Sequence, residues 1–346
     1  MNRPTDIAVA ELRRWSLLQL GLADTHPADF SVVSGDASFR KYYRLSLEGD
    51  MHFIAVHAPP EKENNEAFIA VQQLMAARQL PVPALLGWDL ERGFLLQEDF
   101  GDRLLRPVLT DVSAADRYYR VAFDSLVAMQ QVPVDSGQLP DYDHQRLIDE
   151  MALFPQWFVK GLLNYELDDA EYRILAELFN ALSQRAQAQR QGFVHRDFHS
   201  RNIMLLPEGR LGLIDFQDAL RGPLTYDLVS LLRDCYVSWP RQQVADWALE
   251  CRRKMADAGV AVPDADTFMV DFDWMGLQRH IKVLGIFARL QLRDGKSTYL
   301  DDLPLVIAYT LAVARQYPEC AAFVAWFEQR LLPLAEQQSW YREVAL

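Results

Sequence analysis

Over the first hundred residues, hydrophobic side chains come in short runs broken by turn residues; beyond that they recur every three or four positions. Residues 30–34, 39–47 and 52–57 are rich in β-branched and aromatic side chains. Ser34-Gly35-Asp36 and Glu48-Gly49-Asp50 separate them, which predicts three antiparallel strands joined by turns. After a break at Pro59-Pro60, residues 63–78 place Phe68, Val71, Leu74 and Met75 on one helical face. Residues 84–88 and 94–98 predict two further strands flanking Asp89-Leu90-Glu91-Arg92-Gly93. An amphipathic helix over 6–20 precedes them.

Past residue 101 the period is helical, with long helices expected over 114–131, 145–163 and 170–189, and again from 224 to the end. Two short strands, 203–206 and 211–214, interrupt it around Pro207-Glu208-Gly209. The expected fold class is therefore α+β and bilobal. A small five-stranded antiparallel lobe over residues 1–100 precedes a larger helical lobe over 101–346.

A length of 346 residues fits two such lobes, and 50% hydrophobic with 24% charged residues fits a folded globular chain. The net charge of −13 argues against nucleic acid or an anionic membrane surface as a partner. Three scattered cysteines indicate neither a disulfide framework nor a cysteine zinc site, so a cytoplasmic location is expected. Arg3, Pro4, Asp6, Arg13 and Arg14 break up the first residues, so no secretory leader is expected. The apolar stretch 303–314 falls short of the about 20 residues a bilayer span needs. Small molecules, with no obligate protein partner, are the expected ligands.

Candidate chemistry concentrates around the short hairpin. His195-Arg196-Asp197-Phe198-His199-Ser200-Arg201-Asn202 precedes it and Ile214-Asp215-Phe216 closes it. A loop aspartate, an asparagine five residues later and a second aspartate beyond a hairpin suit phosphoryl transfer to a hydroxyl. One aspartate accepts the proton; the asparagine carbonyl and the other aspartate offer hard oxygen donors to Mg2+.

These residues resemble the aminoglycoside phosphotransferase and choline kinase family, whose pattern is His-x-Asp-Leu-His-x-x-Asn followed by Ile-Asp-Phe or Ile-Asp-Trp. The resemblance implies a protein-kinase-like fold. It implies Asp197 as catalytic base, Asn202 and Asp215 as Mg2+ ligands, and His195 and His199 as braces of the loop. Gly222-Pro223-Leu224-Thr225-Tyr226-Asp227-Leu228 matches the family's next segment, in which Asp227 opens a helix and steadies the loop. Only eleven residues separate Asp215 from Asp227 and no Ala-Pro-Glu follows, which leaves no room for a protein-kinase activation segment and favours a small-molecule acceptor.

Ser34 to Arg40 takes the place of the glycine-rich loop, with Ser38 and Arg40 as expected phosphate contacts or turn residues. His57 stands where the phosphate-pairing lysine is usual; Arg40, Lys41 or Arg44 is the expected substitute, with Glu66 as its acidic partner. Residues 95–101 resemble the family's hinge, where backbone groups of Glu98 and Phe100 would hold the adenine of ATP. Ser34-Gly-Asp-Ala-Ser-Phe-Arg-Lys-Tyr-Tyr-Arg44, Ala58-Pro-Pro-Glu61 and the 195–202 motif together resemble, more narrowly, the bacterial anomeric amino-sugar kinases of cell-wall recycling. That implies ATP-dependent phosphorylation of the 1-hydroxyl of N-acetylmuramate and N-acetylglucosamine.

For the acceptor, residues 149–158 mix acids with aromatics, making Glu150 a candidate contact, while Trp157, Phe158 and Trp274 are either core or sugar platforms. Arg279 and Lys282, i and i+3, share a helical face suited to a substrate carboxylate or to solvent. Two other readings remain open: a kinase for another hydroxyl compound such as an aminoglycoside, choline or homoserine, or a non-catalytic binding module, which His57 motivates.

Overall fold

The computed structural model describes residues 4–34, 39–134, 137–344 and 346. Ser38 lies outside them. In chain order the first elements are α1 (Pro4–Gln19), β1 (Asp29–Ser34), β2 (Lys41–Leu47), β3 (Met51–His57), α2 (Asn65–Ala76), β4 (Leu85–Asp89) and β5 (Phe94–Glu98). There follow α3 (Val112–Gln130), α4 (His144–Met151), α5 (Asp169–Ala188), β6 (Gln191–Val194), β7 (Ile203–Leu205), β8 (Leu211–Leu213) and β9 (Leu220–Pro223). The principal later helices are α6 (Tyr226–Leu232), α7 (Arg241–Asp257), α8 (Ala265–Asp294) and α9 (Leu303–Ala314). Two compact units result, Met1–Leu105 with Asn202–Asp218, and Arg106–Arg201 with Ala219–Leu346.

The first unit is built on an antiparallel sheet of order β1-β2-β3-β5-β4. Its register sets Tyr43 beside Ala55 and Ala55 beside Leu96, so these side chains share one face. Leu12 and Trp15 of α1 bury that face, the Trp15 and Phe94 rings lying 5.8 Å apart. The β7–β8 hairpin belongs to this unit rather than to the helices that flank it in sequence, so a single cut after residue 100 does not describe the packing. A two-stranded ribbon leaves backbone groups that need partners. Leu205 N donates to Arg103 O (2.7 Å) and Leu213 N to Pro81 O (2.7 Å). Phe216, just beyond, packs against Phe68 of α2 at 5.0 Å between ring centres.

The second unit is helical around α8, which is buried along most of its length and ends at Gly295 in the left-handed region (φ 68°). A Cβ at Gly285 would lie 2.4 Å from the carbonyl carbon of Leu153, so only glycine lets α8 approach the end of α4 this closely. The continuous helix expected over 145–163 is broken. Pro155 cannot supply an amide, and after α4 the chain continues as a wider π-helical stretch, Phe154–Leu162. Phe158 there stacks on Phe154 inside an aromatic core and offers no sugar platform, and Trp274 packs edge-on to Tyr317. The β6–β9 pair is a second departure, because four residues are too few to carry a readable period. The described residues contain no helix long and apolar enough to cross a membrane. All three cysteines are buried and unbridged.

Candidate active site

In the second unit β6 ends at Val194, opposite Leu220 of β9, and releases the loop 195–201. The carboxylate of Asp227, in the first turn of α6, accepts His195 N at 2.7 Å and Arg196 N at 3.0 Å. Arg196 lies in the left-handed region (φ 76°), a costly conformation for a residue with a β-carbon, and the paired bonds to Asp227 hold it there. At the other end of the loop, Asp234 accepts Ser200 N at 3.0 Å and Ser200 Oγ at 2.5 Å. The His195 ring is fully buried, edge-on to Phe198, and the His199 ring is edge-on to Tyr236.

Burial pushes the Asp227 carboxyl up to about 7, the two amide bonds opposing it. The folded protein therefore holds this proton more tightly than the unfolded chain. The resulting stabilisation is whole below the ordinary carboxylate value and is lost as pH rises through about 7. Thermal unfolding followed from pH 4 to 8 should show the native protein losing stability relative to Asp227→Asn over that window. A pH-independent difference would contradict this origin.

Asp197 is only partly exposed. Burial pushes its carboxyl up, but the surrounding positive groups, Lys282 and Arg196 among them, outweigh this and hold it below the usual carboxylate range. Those two cations are fixed by Glu150, which pairs with Lys282 Nζ at 2.9 Å and with Arg196, and also accepts the Tyr142 hydroxyl. Burial raises the Glu150 carboxyl, yet the same cations carry it below its ordinary value. Lys282 Nζ also donates to Tyr226 Oη at 3.2 Å. Arg279, by contrast, turns inward and donates to Cys235 Sγ at 3.2 Å. Arg279 and Lys282 are therefore both buried with internal partners and do not form an open basic face.

In the first unit, Asn202 and Asp215 flank the β7–β8 hairpin, tied by Ile214 N donating to Asn202 O at 3.2 Å. Asn202 Nδ2 donates to Asp215 Oδ2 at 3.3 Å and Gln217 Nε2 to Asp215 Oδ1 at 2.7 Å. Asp215 is exposed and in the left-handed region (φ 64°). Two neighbouring hard oxygen donors fit a magnesium ion, which takes few protein ligands and completes its shell with water and phosphate. The described residues gather no cluster of three or more His, Cys, Asp or Glu side chains that would suit a protein-caged metal.

Elsewhere in this unit Arg40 is buried, pairs with Glu63 at 3.4 Å and lies over the Phe68 ring. The acidic partner is thus Glu63, not Glu66, which is exposed in the first turn of α2. Arg44 is committed to Asp99 (2.5 Å) and Asp102 (2.8 Å), and Lys41 is exposed. Burial lowers the pKa of His57, whose ring is edge-on to Phe94, which disfavours its charged form. In the hinge, Glu98 N donates to Ala84 O at 2.9 Å, while Phe100 lies close over Gly212 of β8.

Sequence reasoning gave no role to Tyr142, Arg196 or Asp234. Arg196 and Asp234 stand in or near the motif, so their proximity was a usable signal; Tyr142 carried none.

The chain belongs to the phosphotransferase enzyme family, whose model matches residues 29–258. It is 40% identical over 302 residues to the N-acetylmuramate/N-acetylglucosamine kinase of Pseudomonas aeruginosa, covering 87% of this chain and 88% of that one. It is 37% identical over 301 residues to the protein of the same name from Neisseria meningitidis, covering 86% and 89%. The fold is that of the ADP-bound aminoglycoside phosphotransferase APH(2'')-Ib, a protein-kinase-like structure. The TM-score is 0.59 at 13% identity, with 88% of this chain and 98% of that one covered.

Proposed function

We propose that the protein transfers the γ-phosphate of ATP to the anomeric hydroxyl of N-acetylmuramate and N-acetylglucosamine, giving sugar 1-phosphates for cell-wall recycling in the cytoplasm. The observation that carries the reading is the charged loop. Asp197, Asn202 and Asp215 fall within nineteen residues, and the positive groups around Asp197, His199, Lys282 and Arg196, favour its ionised form against the burial that opposes it. The identity to kinases named for these two sugars supports the acceptor.

Asp197 accepts the acceptor's hydroxyl proton as the oxygen bonds to the γ-phosphorus and the bond to the bridging β,γ-oxygen breaks, releasing ADP. A hemiacetal hydroxyl is more acidic than an ordinary alcohol, so a carboxylate of low basicity suffices. Asn202 and Asp215 would hold a magnesium ion, which would supply positive charge to offset that of the phosphates. The amide of Glu98 is engaged by Ala84, which leaves adenine recognition to the Glu98 carbonyl and the Phe100 amide. Ser38 and Arg40 keep the phosphate role that the family resemblance implies, and Glu150 with Lys282 borders the acceptor. Arg279 braces the interior behind the loop. Cationic acceptors such as choline or aminoglycosides are disfavoured, because Arg196 and Lys282 already occupy the Glu150 carboxylate.

Magnesium-dependent ATP consumption with a panel of amino sugars, choline, homoserine and an aminoglycoside tests the proposal. Turnover is expected with the two amino sugars; a preference for a cationic acceptor would refute it, and ATP consumption with none would mark a binding module.

Arg40→Ala should raise KM for ATP about tenfold or more, because a buried cation at the phosphate end is lost. His57→Ala should change it less than about threefold, since burial disfavours the charged ring. The reverse order in steady-state kinetics would assign the lysine's role to His57.

A further inference from the structure

We infer that Arg289 reads an anionic substituent on the acceptor sugar, a carboxylate such as the lactyl group that separates N-acetylmuramate from N-acetylglucosamine. The inference rests on the acceptor class proposed above and names the residue that discriminates within it.

A cavity of about 450 Å³ opens in the second unit where Asp143, which caps α4, joins Arg146, Asp149 and Glu150 of α4 and Arg289 of α8. That volume is in the range of small-molecule sites. One wall is functional already: Glu150 lines the cavity and grips Arg196, the chain neighbour of Asp197. Lys282 and Arg289 are seven residues apart on α8 and so share a face, spaced about 10 Å along the axis. A monosaccharide with one substituent spans such a distance. Its reacting end would lie at Glu150 and Lys282, and its substituent at Arg289.

Several other polar groups around this cavity are engaged within the protein, and the Arg146 side chain also lines it. Asp143 caps α4 by accepting Arg146 N at 2.8 Å, and Asp149 accepts Gln145 Nε2 at 2.8 Å. Glu150 is matched by two cations. Of the three basic residues on this stretch of α8, Arg279 is turned to Cys235 and Lys282 to Glu150 and Tyr226. Arg289 differs: its Nε is buried without a hydrogen-bond partner. The charges acting on it, Arg293 and Asp294, oppose each other, and burial lowers its pKa. An unmet buried donor on a planar guanidinium is a strong attractor for a carboxylate, which accepts two of its hydrogens at once.

The test is steady-state kinetics on both sugars with the native protein, Arg289→Gln and Arg289→Lys. For Arg289→Gln, KM for N-acetylmuramate should rise about tenfold or more with kcat little changed, whereas KM for N-acetylglucosamine should stay within about twofold. Arg289→Lys should recover part of the loss, and thermal melting should show both variants folded. An equal rise on both sugars, or none on either, overturns the role of Arg289 and leaves the kinase reading intact. A native protein that phosphorylates neither sugar overturns both.

Discussion

Asp197→Asn should lower kcat roughly 10²- to 10⁴-fold while leaving nucleotide affinity nearly unchanged, the range expected when a positioned base is removed. The amide keeps the size of the carboxylate but has no basicity. The loop keeps other ties in this variant, because Asp227 holds the amides of His195 and Arg196 and Asp234 holds Ser200. Loss of activity without loss of folding is thus the predicted signature. Single-turnover kinetics with a nucleotide-binding titration would check it; near-native turnover in a folded variant would remove Asp197 from the chemistry. The nearby charges sharpen the expectation. Burial pushes the Asp197 carboxyl up, but the positive groups around it, His199, Lys282 and Arg196, outweigh this and favour the ionised form, so it should not produce an acid limb near neutrality.

Asp215→Asn should act on the metal rather than on the base. Replacing an anionic oxygen with a neutral one would weaken the magnesium site proposed at Asn202 and Asp215. The apparent magnesium requirement should rise about tenfold or more, and raising magnesium should recover part of the rate. Asp215 is exposed and accepts bonds from Asn202 and Gln217, while the hairpin's backbone bonds run to Pro81 and Arg103, so the substitution should leave those in place. Magnesium titration of the steady-state rate makes the distinction. An unchanged dependence would mean that Asp215 is not a ligand.

How far these residues were legible in the sequence depended on whether local spacing or long-range packing fixes them. The five-stranded sheet was readable because β2, β3 and β5 alternate or run apolar between turn residues whose chemistry is local. The loop and hairpin were readable because their polar residues sit at fixed short spacings. Chain order does not encode that β7–β8 takes its backbone partners from Pro81 and Arg103, more than a hundred and about a hundred residues earlier respectively. Nor does it encode that Glu63 rather than Glu66 meets Arg40: both lie near the start of α2, and only the fold decides which one turns inward. Arg279 and Lys282 illustrate the limit most directly. Their i, i+3 spacing correctly implies one helix, but α8 runs through the interior, so shared helical position led to two separate buried contacts instead of an open surface.

The product of the reaction tests the central claim most directly. With ATP, magnesium and N-acetylmuramate or N-acetylglucosamine, phosphorus NMR of the product should show a phosphate coupled to the anomeric proton, the mark of a 1-phosphate. A phosphate coupled to the protons of carbon 6, or ATP cleaved to inorganic phosphate with the sugar unchanged, would contradict the account.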